Sequence, residues 1–292
     1  MSEVTIGLPV YNAERYVSEA IDSILAQTYT DFTLLVADNA STDSTLELVE
    51  QYAARDPRVV LMRSETNRGA AWNFNRVFEE CSTPYFKWAA ADDLLAPTCV
   101  ERCLEALRDG PADAVLSFPQ TEIIDGEGHA VGTYVDPLAS RPGESASRRF
   151  GRVVGKMIKG NLVFALMRSD ALRKTRLHGG YPSSDYVLIA ELALLGSFVA
   201  VPEPLFLRRE HEQMSRRANA SLAEISEWFD PAAPPVRSEM RRLFREHIAA
   251  IRRSDLSPAE RTAALAALIG IWGRRRWLLP QRAWIRRFWP FV

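Results

Sequence analysis

The chain has 292 residues, 47% of them hydrophobic and 25% charged, with a formal net charge of −1. That composition excludes a disordered or fibrous protein and allows one large domain, or a domain with an appendage. The charge is uneven: residues 236–292 carry 13 Arg against 4 acids, or +9, which leaves −10 for the rest and suggests a basic tail that docks on something anionic.

In chain order, "VTIGLPV" (4–10) reads as a first strand. In the helix that follows, Val17, Ile21, Ile24 and Leu25 share one face, and Asn12 is placed as its N-cap. "FTLLVAD" (32–38) is a second strand, with the near-continuous apolar run of a parallel strand covered on both faces. "STDSTLELVEQYAAR" is a helix with a capping-type start, and "RVVLM" (58–62) a third strand. "NRGAAWNFNRVFEEC" gives a loop and a helix with Phe74, Val77, Phe78 and Cys81 inward. "YFKWAA" is a fourth strand, Pro97–Arg108 a helix, and "ADAVLSF" (112–118) a fifth strand. Five alternations of strand and helix predict an open α/β sheet with helices on both faces.

Beyond residue 120 the rhythm changes. "TEIIDGEGHAVGTYV" reads as a hairpin, 137–149 as a mobile polar loop, "GNLVFALM" as a strand and "SSDYVLIAELALLG" as a helix with Asp185 in its first turn. "PLFLRREH" is a last strand, and from about 221 only helices are expected. The expected organisation is one α/β domain over 1–220, divided at about residue 110, followed by a helical Arg/Trp-rich extension over 221–292. Cys81, Cys99 and Cys103 form no disulfide framework or metal spacing and are read as reduced thiols. "MSEVTIGLPVYN" lacks a basic leader, and no stretch has the roughly 18 apolar residues that span a bilayer. The expectation is a cytoplasmic protein, soluble or peripheral on the inner face of the membrane.

Ligands of an open α/β sheet bind beyond the carboxyl ends of its strands. There the chain places "VYN", Asp38, "ETNRG", and the adjacent Asp92 and Asp93. Acids at helix starts help the helix dipole by about 0.3–1 kcal/mol, which is their plain structural use. Acids at two strand ends on one edge also suit a nucleotide: a divalent cation held by carboxylate and diphosphate oxygens, with Asp38 accepting hydrogen bonds from base or ribose. No G-x-G-x-x-G follows the first strand and no P-loop is present, so dinucleotide oxidoreductases and P-loop enzymes are set aside.

"LPVYNAERYVSEAIDSILAQTYTDFTLLVADNASTDST", "NRGAAWNFN" and "AADD" resemble the inverting glycosyltransferases of family 2, which have the GT-A fold. The resemblance covers residues 1 to about 215 and implies a catalytic domain over 1–220, with a donor half over 1–110 and an acceptor half over 111–220. It implies a donor that is a nucleotide-diphosphate sugar, with UDP the commonest carrier, and a divalent cation, Mn²⁺ or Mg²⁺. It implies that Pro9, Val10 and Tyr11 line the base pocket with Asp38 on the base, and that Arg68 and Gly69 border the ribose. Asp92 would touch ribose or phosphate, Asp93 and His211 the metal, and Asp185 would be the catalytic base. Two departures stand out: Ala90 occupies the place of the first acid of D-x-D-D, and only Asp185 matches the second acidic motif. These departures are what support the alternative of a non-catalytic sugar-nucleotide binder. The implied acceptor is a glycan or lipid-linked glycan in cell-surface polysaccharide or glycolipid assembly.

The tail "WGRRRWLLPQRAWIRRFWPFV" (272–292) holds six Arg, four Trp and two Phe and no acid. It is read either as a helix packing on the domain or as an anchor on an anionic inner-leaflet surface. Nothing in the chain resembles a nucleic-acid module.

Overall fold

The first strand, β1 (Val4–Val10), is buried along its whole length, as its unbroken apolar run requires. The computed structural model describes residues 2–212, 214–219 and 221–286, without the side chains of 215, 216 and 275–286. Val4, Ile6, Leu8 and Val10 point to one face of β1. There α1 (Val17–Leu25) contributes Val17, Ile21 and Ile24. Gly7 faces the other way. A Cβ there would stand 2.6 Å from Val77 Cγ2, so its absence lets a helix lie close on the sheet.

After β1 and α1 come β2 (Phe32–Asp38), α2 (Thr45–Arg55), β3 (Val59–Arg63), α3 (Ala70–Glu79), β4 (Tyr85–Trp88), the two-residue β5 (Leu94–Leu95) and α4 (Cys99–Asp109). The second half holds β6 (Ala114–Ile124), β7 (Ala130–Tyr134), α5 (Ala146–Lys156), β8 (Leu166–Arg168), the one-turn α6 (Ser169–Leu172), α7 (Ser184–Leu195) and β9 (Ser197–Arg209). Four helices follow: α8 (Ser215–Ala218), α9 (Leu222–Phe229), α10 (Glu239–Arg253) and α11 (Pro258–Arg286). Sheet order is β3-β2-β1-β4-β8-β6-β9-β5, with β7 beside β6. β1 to β4 pair in parallel, β8 enters antiparallel between β4 and β6, and β6 and β9 run parallel.

One core layer lies between the sheet and α1 and α4, where Cys99, Val100, Cys103, Leu104 and Leu107 are inward. The other joins Val77, Phe78, Phe86 and Trp88 to α5, α7, α10 and α11. Each fully buried aliphatic or aromatic side chain stabilises the fold by about 1.5–3 kcal/mol. Helix α7 is apolar nearly all round because α5 and α10 cover it. Among the described residues no helix is long and apolar enough to cross a membrane.

The structure departs from the sequence reading in four local places. The expected fifth strand and the first hairpin strand are one strand, β6, held continuous by pairing with the long β9. Of the expected polar loop 137–149 only 137–145 precedes α5, which starts at Ala146 and buries Phe150, Val153 and Val154. "GNLVFALM" is a 3₁₀ turn over Asn161–Phe164 and only then a strand. Asn12 is not a helix cap. It takes a left-handed φ of 49°, and its Oδ1 accepts from the Thr42 backbone N–H at 2.8 Å, which ties the β1 end to the loop after β2.

Candidate active site

The carboxyl ends of β1, β2 and β4 open on one cleft of about 1160 Å³. Pro9, Val10, Tyr11, Asp92, Asp93, Asp185 and His211 all line it. Asp38, Arg68 and Gly69 are not among the lining residues.

Asp38 is buried at the end of β2 and its carboxylate accepts from the Ser41 backbone N–H at 3.2 Å. It therefore shapes the loop that carries Asn39 to the cleft. Asn39 holds the next loop: its Nδ2 donates to Asn67 Oδ1 at 2.8 Å, and its Oδ1 accepts from the Arg68 N–H at 3.1 Å. The Arg68 guanidinium stacks on Trp72, 4.2 Å from the ring centroid. Gly69 has a φ of +85°, a conformation that favours glycine, and a Cβ there would lie 2.5 Å from the Phe229 carbonyl oxygen. The end of α9 thus sits directly over Gly69, and Trp228, Phe229 and Pro231 wall the cleft. Sequence reasoning placed this segment in an extension.

Asp92 and Asp93 emerge just before β5, which pairs antiparallel with β9 at Leu207 and Phe206. That short pairing sets the acids beside the end of β9. The Arg209 backbone N–H donates to Asp93 Oδ1 at 2.8 Å, and Arg209 Nε to the Asp92 carbonyl at 2.9 Å. Arg209 is only 1% exposed. Its Nη2 reaches Glu19 Oε2 at 2.7 Å and its guanidinium lies 4.5 Å over the Tyr16 ring, so the buried charge is paired and hydrogen-bonded. Two residues on, His211 Nε2 is 3.0 Å from Asp92 Oδ2, and the His211 ring lies 4.9 Å from that of Tyr16.

Burial, and next the negative charge of Asp92, push the Asp93 carboxyl well above the usual carboxylate range. The nearby Arg208 and Arg209 offset this only in part. A cation bound beside Asp93 would offset both its burial and the repulsion from Asp92. Among the described residues no group of three or more His, Cys, Asp or Glu is gathered as a metal cage. An ion that takes its other oxygens from a diphosphate needs only one or two protein carboxylates.

Asp185 approaches from α7. Ser183, at its N-cap, has a left-handed φ of 60°, uncommon for a residue with a side chain, and its Oγ donates to Glu239 Oε1 at 2.6 Å. The carboxylate rests against Gly160, where a Cβ would lie 2.3 Å from Asp185 Oδ2. Tyr186 Oη donates to the Ile158 carbonyl at 2.5 Å and fastens the 158–160 loop to α7.

The sequence reading also missed the cleft floor. His178 is buried with its ring 5.0 Å from Trp88 and 4.9 Å from Phe74, and its backbone is held by Asn75 in both directions at 2.9 Å. Burial lowers its pKa to about 3, so the imidazole is neutral. Asn75, on α3, clamps this loop through both bonds. Arg208 and Lys159 complete the wall. Only the period-two alternation in "LFLRREH" could have signalled that Arg208 and Arg209 face opposite ways.

Residues 5–168 match the family model for glycosyl transferase family 2, more than half of the chain. The chain is 33% identical over 139 residues to a chondroitin synthase of Escherichia coli, an alignment that covers 47% of this chain but only 20% of the synthase. It is 25% identical over 264 residues to an uncharacterised glycosyltransferase of Nostoc sp., covering 87% of this chain and 79% of that one. Among solved structures it superposes on S. aureus TarS in complex with UDP with a TM-score of 0.67 at 15% identity, covering 94% of this chain and 72% of that one. Mannosyltransferase PcManGT from Pyrobaculum calidifontis, in complex with GDP-Man and Mn²⁺, matches with a TM-score of 0.53 at 16% identity over 99% of this chain and 81% of that one. The chain, with its GT-A-like fold, belongs to glycosyl transferase family 2.

Proposed function

We propose that the protein moves a sugar from a nucleoside diphosphate sugar to an acceptor hydroxyl with inversion at the anomeric carbon. The observation that carries this reading is the cleft itself. Two adjacent carboxylates, Asp92 and Asp93, braced by Arg209 and His211, share it with a third carboxylate, Asp185, brought by another element. Pro9, Val10, Tyr11, Asn39 and Asn67 form the nucleoside end. Asp93 and His211 would hold a divalent cation, Mn²⁺ or Mg²⁺, and Asp92 would orient His211. When bound, that ion serves as a Lewis acid toward the leaving diphosphate. Asp185 accepts the proton of the attacking hydroxyl, whose own pKa is far above neutrality. A base and a leaving group on opposite sides of the sugar require no covalent enzyme intermediate.

The UDP complex of TarS and the GDP-Man complex of PcManGT leave the base open, with UDP the first candidate. The family membership and the chondroitin synthase similarity support an acceptor that is a glycan. The +9 charge of 236–292 supports work at an anionic inner-leaflet surface, on a lipid-linked glycan. A thermal-shift screen of UDP-, GDP- and dTDP-sugars with and without Mn²⁺ tests the reading, followed by release of the nucleoside diphosphate. A Mn²⁺-dependent shift without any turnover, in the presence of acceptor extracts, leaves a sugar-nucleotide binder instead.

A further inference from the structure

Four cationic side chains of known placement line the cleft: Arg15, Lys159, Arg208 and Arg209. Three are neutralised by carboxylates. Arg15 pairs with Glu127 at 3.2 Å, Lys159 with Glu210 at 3.0 Å and Arg209 with Glu19 at 2.7 Å. Among the described residues, Arg208 has no carboxylate within ion-pair distance. Its Nη1 donates to Asn161 Oδ1, a neutral acceptor. Asn161 is buried, and its Nδ2 donates in turn to Thr121 Oγ1 of β6 at 2.9 Å. The guanidinium is therefore held in place by an uncharged relay rather than by an ion pair.

Its position is equally specific. The amide that binds Asp93 Oδ1 at 2.8 Å is the one joining Arg208 to Arg209. On its other side Asn161 follows Gly160, which touches the Asp185 carboxylate. Arg208 thus bridges the strand end beside Asp93 and the loop beside Asp185. The buried Asp136, whose two carboxylate oxygens meet no hydrogen-bond partner, lies close enough for the charge of Arg208 to act on it.

We propose that Arg208 is a substrate-binding residue whose free N–H groups take an oxygen of the donor's diphosphate and stabilise it as it leaves. This rests on the donor class proposed above. In the transfer step the acceptor oxygen bonds the anomeric carbon while the bond from that carbon to the diphosphate oxygen breaks. The electron pair of that bond goes to the diphosphate, where Arg208 meets the added charge, and the hydroxyl proton goes to Asp185. Arginine suits this role because its planar fork presents two donors to phosphate oxygens, and such charge-assisted bonds are about twice as strong as neutral ones.

The test titrates wild type, Arg208→Gln and Arg208→Lys with UMP and UDP, GMP and GDP, and dTMP and dTDP in Mn²⁺ by calorimetry. The expected result is a loss in diphosphate affinity of about 10-fold or more for Gln, with substantial retention for Lys, while monophosphate affinity changes by less than about 3-fold. Arg208→Met, which keeps the stem, supplies the same reading should the Gln variant fail to fold, as judged by thermal unfolding. Equal diphosphate affinity in wild type and the Gln or Met variant overturns the assignment. So does an equal loss for mono- and diphosphates, which marks a structural residue. A wild type that binds none of these diphosphates rejects the donor class itself, and this assignment with it.

Discussion

His211 Nε2 lies 3.0 Å from Asp92 Oδ2, joining the end of β9 to the acid pair after β4, across 119 positions of sequence. The contact makes the acid loop and the last strand one unit. His211→Ala releases Asp92 and removes a proposed ligand. The Mn²⁺ concentration for half-maximal donor hydrolysis should rise about 10–100-fold, with the unfolding temperature little changed. An unchanged metal requirement would remove His211 from the site.

Asp93→Asn keeps an oxygen for the Arg209 backbone N–H but removes the carboxylate. Transfer should be lost at every Mn²⁺ concentration. Stability should not fall: a carboxyl whose pKa is raised on folding contributes a penalty that grows as pH rises above its unfolded value, and Asn is free of it. Paired measurements of turnover and thermal unfolding at pH 8 check both halves.

Asp185→Asn should reduce turnover by about 10²–10⁴-fold and leave the donor dissociation constant unchanged, the signature of a lost general base. Gly160→Ala attacks the same carboxylate without touching it chemically. Its new Cβ would stand 2.3 Å from Asp185 Oδ2, so the carboxylate must move. We expect a drop in turnover of about 10-fold or more with donor affinity retained. If Gly160→Ala weakens donor binding as much as turnover, the loop serves the donor rather than the base.

Asp136 is buried and its carboxyl is pushed up to about 7, chiefly by burial, with Arg208 opposing. The folded state therefore binds a proton that the unfolded chain has already released above its ordinary carboxylate pKa. Stability from this group is full below pH 4 and is lost as pH rises through 7. Asp136→Asn should flatten that decline and unfold several degrees above wild type at pH 8, at about 2–4 °C per kcal/mol for a chain of this size. Parallel unfolding curves at pH 5 and pH 8 would refute the assignment.

The basic tail gives a fifth expectation. Trp272 at its start packs against Phe244, ring centroids 5.2 Å apart, which supports packing for that residue. The side chains of 275–286 and residues 287–292 lie outside those described, so the anchor reading rests on sequence. The full chain should co-sediment with anionic vesicles at low salt, and a chain ending at Ile271 should do so markedly less. Equal partitioning of the two would leave the tail as packing.

By itself the sequence determined the α/β alternation, the family motifs and the convergence of "VYN" and Asp92-Asp93 on one sheet edge. Those features are local. Apolar runs such as "FTLLVAD" and the helical spacing of Val17, Ile21 and Ile24 record burial along a few residues. Asp185 was legible only through the family resemblance, since one acid in a first turn has an ordinary use as a dipole partner. The tertiary structure decided what meets the acid pair: β5 pairs with β9 over just two residues, and that contact delivers Arg208, Arg209 and His211. It also folded α9 over Gly69, which composition had assigned to an appendage, and turned Asn12 from a cap into a brace. Such contacts join positions up to 190 residues apart, as Glu19 and Arg209 are. Their energies depend on which strands pair, and periodicity within one segment carries no trace of that choice.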